Sequence, residues 1–335
     1  MRVLTPDVNK KFEKLKDAVF LAGPCPRNKT DKDWRDEAIE LFKKYSFEGD
    51  IINPTNRNYD DDLERQTKWE CQGLHYASVI LFWIPRSEKH PGLTTNIEVG
   101  EWFDKEGVVI GFPDNSYKNE YLDVKLKQNH IKRYSSLEDM VKKVVEYFNR
   151  QKRIFFTSDT HFSAKRTLEL SYRPFKTVEE MDLVLISNWN KRITSKDTVI
   201  HLGDFGNTEV LPLLNFKDMF FLEGNYEKED KTITEKLLKD SRVKLAEPRK
   251  IAVNGAEYFI THEPLFNNKM KVNDKSFFLF GHIHRLQMVK NNGVNVGIDG
   301  NRFKPMSIQE LNFLKNGVIN HFDENVFTKK VQRKI

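Results

Sequence analysis

The stretch IFFTSDTHF, residues 154–162, is an apolar run that ends in two potential metal ligands, Asp159 and His161. Its first three residues favour a buried β-strand. Residues two positions apart in an extended chain point to the same side, so we expect both side chains to leave the strand end together. A single Asp-x-His pair is weak evidence, because polar turns also follow strands. A metal site requires partners from other strands.

Four further apolar runs end in the same way. They are DTVIHLGDF (197–205), MFFLEGNYE (219–227), EYFITHEP (257–264) and FFLFGHIH (277–284), and their candidate ligands are Asp204, Asn225, His262, His282 and His284. Open α/β folds gather such residues at the carboxyl ends of their strands. The glycines before Asp204, Asn225 and His282 permit tight turns and close backbone approach. Five strand ends in this order predict one metal site rather than five polar turns.

These five motifs, in this order, resemble the calcineurin-like metallophosphoesterases from about residue 152 to 312. The resemblance includes RPF (173–175), NWN (188–190) and NVGIDGNRFKPMSIQEL (295–311), which are typical of a small phosphatase branch of bacteria and phages. It implies an αββα sandwich of two sheets and phosphoester hydrolysis with two divalent metal ions. The implied ligands are Asp159, His161 and His284 for one metal, Asn225, His262 and His282 for the second, and Asp204 as the bridge.

Ligands of this kind do not select one metal. Carboxylate and imidazole groups without thiolate suit Mn²⁺, Fe, Ni²⁺ or Zn²⁺. Two such ions about 3.5–4 Å apart activate a bridging hydroxide and hold the phosphoryl oxygens for in-line attack. Asp204 is thereby predicted as a catalytic residue, and Asn225 as a substrate contact as well as a ligand. Because water is the nucleophile, this chemistry requires no catalytic Ser or Cys.

Tyr226 is a departure from the family pattern. Many members have a histidine after the Gly-Asn pair, and that histidine helps to protonate the leaving group, whereas this chain reads GNYE. A tyrosine titrates near 10, so it is a poor acid at neutral pH but can still donate a hydrogen bond. We therefore expect activity on activated esters, on diesters or with metal assistance to the leaving group, with Tyr226 as a catalytic candidate. The alternative is a packing residue beside the site.

Residues 1–150 alternate between strand-like and helix-like segments. Strands are predicted at DAVFLAG (17–23), GDIINP (49–54), SVILFWIP (78–85) and VVIGFP (108–113), and helices within 31–45, 61–77, 94–107 and 136–151. This alternation indicates a doubly wound parallel sheet with helices on both faces. We place the domain boundary near residue 151, which gives domains at 1–150 and 151–335.

Glu98, in TTNIEVGEW (94–102), is the candidate catalytic carboxylate of the first domain. The sequence places it in the first turn of a helix, where a capping box with Thr95 is the structural alternative. A helix N-terminus stabilises negative charge, so we expect Glu98 to stay ionised. An ionised carboxylate between a strand and a helix suits covalent glycosyl transfer.

The first domain resembles the nucleoside 2-deoxyribosyltransferase-like family over about residues 18–130, in the order VFLAGP (19–24), INPTNRNYDDD (52–62), WECQGL (69–74) and TTNIEVGEW. The resemblance implies a flavodoxin-like fold in which Glu98 attacks the sugar C1′ and expels the base. The implied substrate-binding residues are Gly23, Pro24, Asn53 and Glu70. Thr94 and Gly92 depart from the family pattern, so both the sugar and the choice between hydrolase and transferase stay open. Relatives often assemble so that neighbours complete each other's sites, which suggests a homo-oligomer through this domain.

Composition limits the classes of protein that fit. The 335 residues suit two domains, and two cysteines cannot form a disulfide framework. There is neither an apolar run of about 20 residues nor a secretory signal, so we expect a cytoplasmic protein without a membrane partner. Residues 1–150 carry 25 Lys and Arg against 26 Asp and Glu, whereas the remainder carries 30 against 23, including a basic tail, KKVQRK (329–334). A basic half suits a phosphate-bearing substrate or nucleic acid.

Three functions fit these patterns. The leading hypothesis is a bifunctional nucleotide-processing enzyme, in which one domain hydrolyses a phosphoester and the other breaks an N-glycosidic bond or transfers a deoxyribosyl group. The second is a phosphoesterase regulated by a catalytically silent nucleotide-binding domain. The third is a metal-dependent nuclease, which strongly salt-dependent cleavage would favour. A small nucleoside, nucleotide or other phosphoester is the expected substrate.

Overall fold

The computed structural model describes residues 1–26, 32–56, 62–264, 277–290 and 292–321. The chain forms two compact units. The first comprises Met1–Gln151, Trp189–Ser195 and Pro212–Asn215, and the second comprises Lys152–Asn188, Lys196–Leu211 and the described residues from Phe216 onwards. The basic tail and residues 57–61 of the motif INPTNRNYDDD lie outside the described residues. No described helix is long and apolar enough to span a membrane.

The first unit contains a six-stranded parallel sheet. Its strands are β1 (Val3–Leu4), β2 (Val19–Ala22), β3 (Ile51–Ile52), β4 (Val79–Trp83), β5 (Val108–Gly111) and β6 (Arg133–Tyr134). They are ordered β1-β3-β2-β4-β5-β6, and every neighbouring pair is parallel. From β2 the chain first moves to β3 on one side and then to β4 on the other. This reversal is the switch point at which open α/β sheets hold their ligands.

Helices cover both faces of this sheet. They are α1 (Trp34–Lys44), α2 (Leu63–Tyr76), α3 (Leu93–Trp102), α4 (Glu120–Gln128) and α5 (Leu137–Asn149). Neighbouring residues of β4 point to opposite faces, so Leu81 packs in one core with α1 and α5. Phe82 packs in the other core with residues of α2, α3 and α4. The predicted flavodoxin-like, doubly wound fold is confirmed. The sequence patterns did not predict β1, β6 or α4, which are short or weakly apolar.

The second unit contains two five-stranded sheets. Its strands are β7 (Ile154–Thr157), β8 (Thr198–His201), β9 (Asp218–Phe221), β10 (Val243–Leu245), β11 (Arg249–Val253), β12 (Ala256–Ile260), β13 (Phe277–Phe280), β14 (Val289–Lys290), β15 (Gly293–Asn295) and β16 (Met306–Ser307). One sheet has the order β10-β9-β8-β7-β16 and the other β11-β12-β13-β15-β14. One apolar core contains Phe156 and Ile200 of the first sheet together with Tyr258 and Leu279 of the second. The sheets therefore pack face to face.

Helices complete the second unit. They are α6 (Lys165–Leu170), α7 (Val178–Asn190), α8 (Asn225–Glu229), α9 (Lys231–Leu237) and α10 (Ile308–His321), with a 3₁₀ helix at Thr208–Leu213. Helix α10 contributes Leu311 and Val318 to the core between the sheets, and α7 buries Met181 and Leu185. This mixed two-sheet arrangement confirms the αββα sandwich.

Candidate metal centre and candidate carboxylate site

The five strand ends of the second unit converge. Strands β7, β8 and β9 are neighbours in one sheet, and β12 and β13 are neighbours in the other. Two groups of side chains result, each with ligand atoms within 4.8 Å of one another: Asp159, His161 and His284 in one, and Asp204, His262 and His282 in the other. The structure thus brings together residues from four of the five motifs, and the fifth supplies Asn225 at the start of α8.

Asp204 lies between the two groups. Its Oδ2 is 3.5 Å from Nε2 of His161 and 3.5 Å from Nε2 of His262. Its other carboxylate oxygen accepts a hydrogen bond from the backbone N–H of Tyr226 at 3.0 Å. One oxygen therefore faces a histidine from each group, which is the geometry a bridging ligand needs.

Several buried polar atoms here have no hydrogen-bond partner among the described residues. They are both ring nitrogens of His161, Oδ1 of Asn225 and Nε2 of His262. Leaving a buried polar atom unsatisfied costs about 1–3 kcal/mol, and native proteins seldom do so. A cation would satisfy the atoms that face the centre, so the residues fit a divalent metal. Their oxygen and imidazole chemistry suits Mn²⁺, Fe, Ni²⁺ or Zn²⁺.

The backbone at these ligands is strained. Five of them have a positive φ between 48° and 69°, namely Asp159, His161, Asp204, His282 and His284. The left-handed region is uncommon for residues other than glycine and clusters at functional sites. The expectation that Asp159 and His161 converge through an extended strand is therefore wrong. Left-handed turns after the strand bring them together, with Oδ1 of Asp159 4.0 Å from Nε2 of His161.

Glycines allow the turns to approach closely, as the sequence predicted. A Cβ on Gly224 would lie 2.1 Å from Oδ1 of Asp204, and a Cβ on Gly281 would lie 2.1 Å from the Ser158 hydroxyl and 2.4 Å from Oδ2 of Asp159. Gly203 has φ +101°, and its Cβ would lie 2.5 Å from the backbone nitrogen of Gly224. A side chain at Gly224 or Gly281 would displace a carboxylate, and one at Gly203 would displace the backbone of Gly224.

A buried arginine organises one side of the centre. Arg173 donates to both carboxylate oxygens of Asp299, at 2.9 and 2.8 Å, and to the carbonyl oxygen of Asp159 at 2.7 Å. Oδ2 of Asp299 is 2.9 Å from Nδ1 of His284, which leaves Nε2 of His284 for a metal. Burial raises the pKa of Asp299, but the hydrogen bonds from His284 and Arg173 outweigh it and lower the pKa to about 2. Such partners orient a ligating imidazole.

Two further supporting residues were not predicted. The buried carboxylate of Glu227 accepts the backbone N–H groups of Asp204, Phe205 and Gly224, each at 2.9 Å. His201 accepts from the Gly203 N–H at 3.2 Å, and its Nε2 is 3.0 Å from the Thr160 hydroxyl. Burial lowers the pKa of His201 to about 3. Two sequence signals could have indicated them: His201 is a polar residue within the apolar run of β8, and Glu227 is an acid directly after Gly-Asn-Tyr.

A ring contact and a hydrogen bond position two aromatic side chains at the candidate metal centre. The Tyr226 ring is 4.7 Å from the His161 ring, edge to face. The His262 ring is held by its Nδ1, which donates to the Leu202 carbonyl at 2.7 Å. Tyr226 thus lies beside the candidate ligands, whereas its catalytic role stays a prediction.

The carboxylate predicted for the first unit lies deeper in its helix than expected. Helix α3 begins at Leu93 after Gly92, whose φ of +60° is left-handed, and no side chain caps it. Glu98 is therefore in the second turn, and the capping box with Thr95 is wrong. Glycine at position 92 lets the chain turn into the helix there, so the observed N-cap lies three residues before Thr95.

Glu98 is also not held ionised by the helix N-terminus. Partial burial and the nearby carboxylate of Glu70 raise the pKa of Glu98 to about 7, although the Arg35 guanidinium acts in the opposite direction. Burial likewise raises the pKa of Glu70. The Glu70 carboxylate thus acts on Glu98 in a partly buried site, and the expectation of a permanently charged Glu98 is wrong.

Three of the other predicted substrate-binding residues follow β2 and β3, namely Gly23, Pro24 and Asn53, whereas Glu70 lies on α2. Arg35 is fully buried and donates to the carbonyls of Gly23 at 2.7 Å and Pro24 at 3.1 Å, so it fixes the first loop. Asn53 is buried, and its Oδ1 accepts from the Thr55 N–H at 3.0 Å. Glu70 accepts from the Gln66 amide at 2.9 Å. Arg35 itself was not predicted as a functional residue. The available signal was its position on the same helix face as Ala38 and Phe42, where a charged residue is unexpected.

The fold and these residues define a two-domain protein that joins a doubly wound nucleotide-type domain to a metallophosphoesterase-type sandwich. Residues 16–116 match the family described as nucleoside 2-deoxyribosyltransferase like. Residues 152–305 match the calcineurin-like phosphoesterase superfamily domain. The two halves therefore contain a nucleoside 2-deoxyribosyltransferase-like domain and a calcineurin-like phosphoesterase domain, as the motifs predicted.

Three proteins are similar to parts of this chain. An uncharacterised protein, MJ1445 of Methanocaldococcus jannaschii, is 30% identical over 172 residues, which are 47% of this chain and 88% of that protein. A protein of unknown function from Aquifex aeolicus, AQ665, has a solved structure with 22% identity and a TM-score of 0.40, covering 49% of this chain and 100% of that one. The solution structure of BlsM has 20% identity and a TM-score of 0.27, and the match covers 40% of this chain and 95% of that one. At these TM-scores neither structure supports a conclusion.

Proposed function

We propose that the second domain hydrolyses a phosphoester of a nucleotide or a related small molecule at a dinuclear metal centre. The observation that carries the proposal is a set of buried atoms around Asp204, on His161, Asn225 and His262, that have no hydrogen-bond partner within the described part of the chain. The proposed ligands are Asp159, His161 and His284 for one metal, Asn225, His262 and His282 for the other, and Asp204 between them. When bound, the two ions would supply an activated water and neutralise the phosphoryl oxygens.

The protein's own groups hold this arrangement in place. Asp299 fixes the ring of His284, and the Leu202 carbonyl fixes that of His262. Asn225 serves as ligand and phosphate contact, and Tyr226 donates a hydrogen bond to the substrate from beside His161. A phenol is a weak acid, so we expect diesters and activated esters to react better than alkyl monophosphates.

The test is phosphate-ester hydrolysis with Mn²⁺, Zn²⁺ or Ni²⁺ added in turn, comparing wild type with Asp204→Asn. Asp218→Asn is the matched control, because Asp218 makes a surface ion pair with Lys244. We expect Asp204→Asn to abolish hydrolysis and to weaken metal binding in calorimetry. If Asp204→Asn retained full activity and metal affinity, the proposal would be wrong.

We propose as a second function that the first domain breaks an N-glycosidic bond through Glu98, by hydrolysis or by deoxyribosyl transfer. The supporting observation is a carboxyl group with a pKa of about 7 near the sheet's switch point, since perturbed carboxyls concentrate at functional sites. A group that is half-protonated near neutral pH can act as nucleophile or acid. Gly23, Pro24, Asn53 and Glu70 would contact the nucleoside.

Mass spectrometry of nucleoside and nucleotide reactions tests this second function. We expect wild type to release free base and Glu98→Gln to release none, while Glu37→Gln, an exposed change on α1, behaves like wild type. Binding of nucleotides without base release would instead support a catalytically silent domain that regulates the phosphoesterase. Base release that persists in Glu98→Gln would refute the role of Glu98.

A further inference from the structure

An exposed aromatic side chain lies on the loop between α6 and α7. Tyr172 is 77% exposed and has a left-handed backbone with φ +47°. The next residue, Arg173, is buried and bonds the carbonyl oxygens of Asp159 and Thr160 at 2.7 and 2.9 Å. The anchor at Arg173 therefore holds the loop in place while the strained residue before it presents its ring to solvent.

The neighbours of Tyr172 connect its loop to the candidate metal centre. The hydroxyl of Ser171 is 3.3 Å from Nδ1 of the candidate ligand His284. The residue after that ligand, Arg285, places its guanidinium carbon 5.7 Å from the centre of the Tyr172 ring. The loops that carry Tyr172 and Arg285 are thus each tied within one residue to His284.

A cavity of about 650 Å³ opens along the same loop, lined among others by Tyr172 and Phe175. This volume is within the range of small-molecule sites. The charged residues in its wall are Lys165, Arg173, Lys176, Glu169 and Glu179. Arg173 is already paired with Asp299, and Nζ of Lys165 lies 3.8 Å from Oε1 of Glu169. Because the two remaining cations and the two acids balance, the wall favours a flat, uncharged group over a polyphosphate.

We propose that Tyr172 and Arg285 form a stacking platform for the base of a nucleotide whose phosphoester occupies the metal centre. The proposal rests on the phosphoesterase function proposed above and names its substrate class. Every nucleobase has a π-face that stacks on an aromatic ring, and arginine adds a cation–π contact. The platform would select nucleotide esters over esters without a base and would tolerate different bases.

Two esters with the same leaving group test the platform: thymidine 5′-(p-nitrophenyl phosphate) and methyl p-nitrophenyl phosphate. We expect Tyr172→Ala to lower kcat/KM for the thymidine ester about 10-fold to 100-fold, mainly through KM, and to leave the methyl ester within about twofold. Tyr172→Phe should retain both activities. Phe313→Ala, which removes another exposed ring of the same unit, should also retain both.

An equal loss on both esters, or no loss on either, would overturn the platform. Calorimetry with thymidine monophosphate and Mn²⁺ provides a readout that does not depend on turnover. We expect Tyr172→Ala to weaken this binding at least about 10-fold, and unchanged binding would refute the platform even in an active enzyme. If wild type hydrolyses neither ester but Tyr172→Ala still weakens binding, the phosphoesterase function fails and the base site stands.

Discussion

Replacing Glu227 by Gln tests whether one buried carboxylate fixes the turns that carry the candidate bridge. Oε2 of Glu227 accepts the N–H groups of Asp204 and Gly224, and Oε1 accepts that of Phe205, all at 2.9 Å. The amide of Gln keeps one oxygen, so its best orientation preserves the first two hydrogen bonds. The Phe205 N–H would then face an NH₂ group that cannot accept its proton.

The expected destabilisation follows from that count. A hydrogen bond to a charged group contributes about 1.5–3 kcal/mol, and a buried donor without a partner costs about 1–3 kcal/mol. Because these terms overlap, we expect Glu227→Gln to lower the free energy of unfolding of the second domain by about 2–4 kcal/mol. At roughly 2–4 °C per kcal/mol for a domain of this size, its Tm should fall by about 5–15 °C.

Differential scanning calorimetry is the appropriate assay, because a two-domain chain need not unfold in one step. Glu229→Gln is the matched control, since Glu229 is exposed on the same short helix and should change the Tm by little. We also expect Glu227→Gln to weaken Mn²⁺ binding about 10-fold to 100-fold, as changes behind metal ligands do. A Tm within 2 °C of wild type, or an equal fall in Glu229→Gln, would refute the reasoning.

Three further predictions test separate parts of the molecule. Glu98 has a folded pKa raised from 4.5 to about 7, so the folded state binds more protons between these values and loses stability as pH rises through them. Glu98→Gln should raise the Tm at pH 8 but not at pH 4, and an equal effect of Glu37→Gln, an exposed change on α1, would argue against it. Gly281→Ala should lower both the Tm and the metal affinity, because its Cβ would lie 2.1 Å from the Ser158 hydroxyl. A metal dissociation constant equal to that of wild type in calorimetric titration would contradict this. Gly317→Ala, in a helix with no atom within 4 Å of the added Cβ, should instead raise the free energy of unfolding by about 0.5–1 kcal/mol. Denaturant unfolding measures this change, and a lower free energy of unfolding would count against the described helix.

The sequence predicted the elements whose signals are local. Apolar runs ended by Gly and a ligand, such as FFLFGHIH, correspond to strands and converging side chains, because strand order and sheet geometry collect strand ends. The extended conformation predicted at Asp159 and His161 was wrong, because nothing in the sequence Asp-Thr-His distinguishes an extended strand end from left-handed turns. The prediction that Glu98 stays ionised was wrong for a different reason. It depends on Glu70 and Arg35, which come from other helices, and on burial that only the fold creates.

Strain and unsatisfied atoms in the second domain have a common explanation. Five candidate ligands are left-handed, at about 1–3 kcal/mol each, and buried atoms of His161, Asn225 and His262 lack partners among the described residues. The surrounding contacts, above all those of Arg173 and Glu227, hold this unfavourable arrangement in place. A cation that engages these atoms would recover the cost of leaving them unsatisfied, and binding to the folded state alone raises stability with ligand concentration. The Tm of the second domain should therefore rise with added Mn²⁺, and that of the first should not. A metal-independent Tm would mean that the strain serves something other than cation binding.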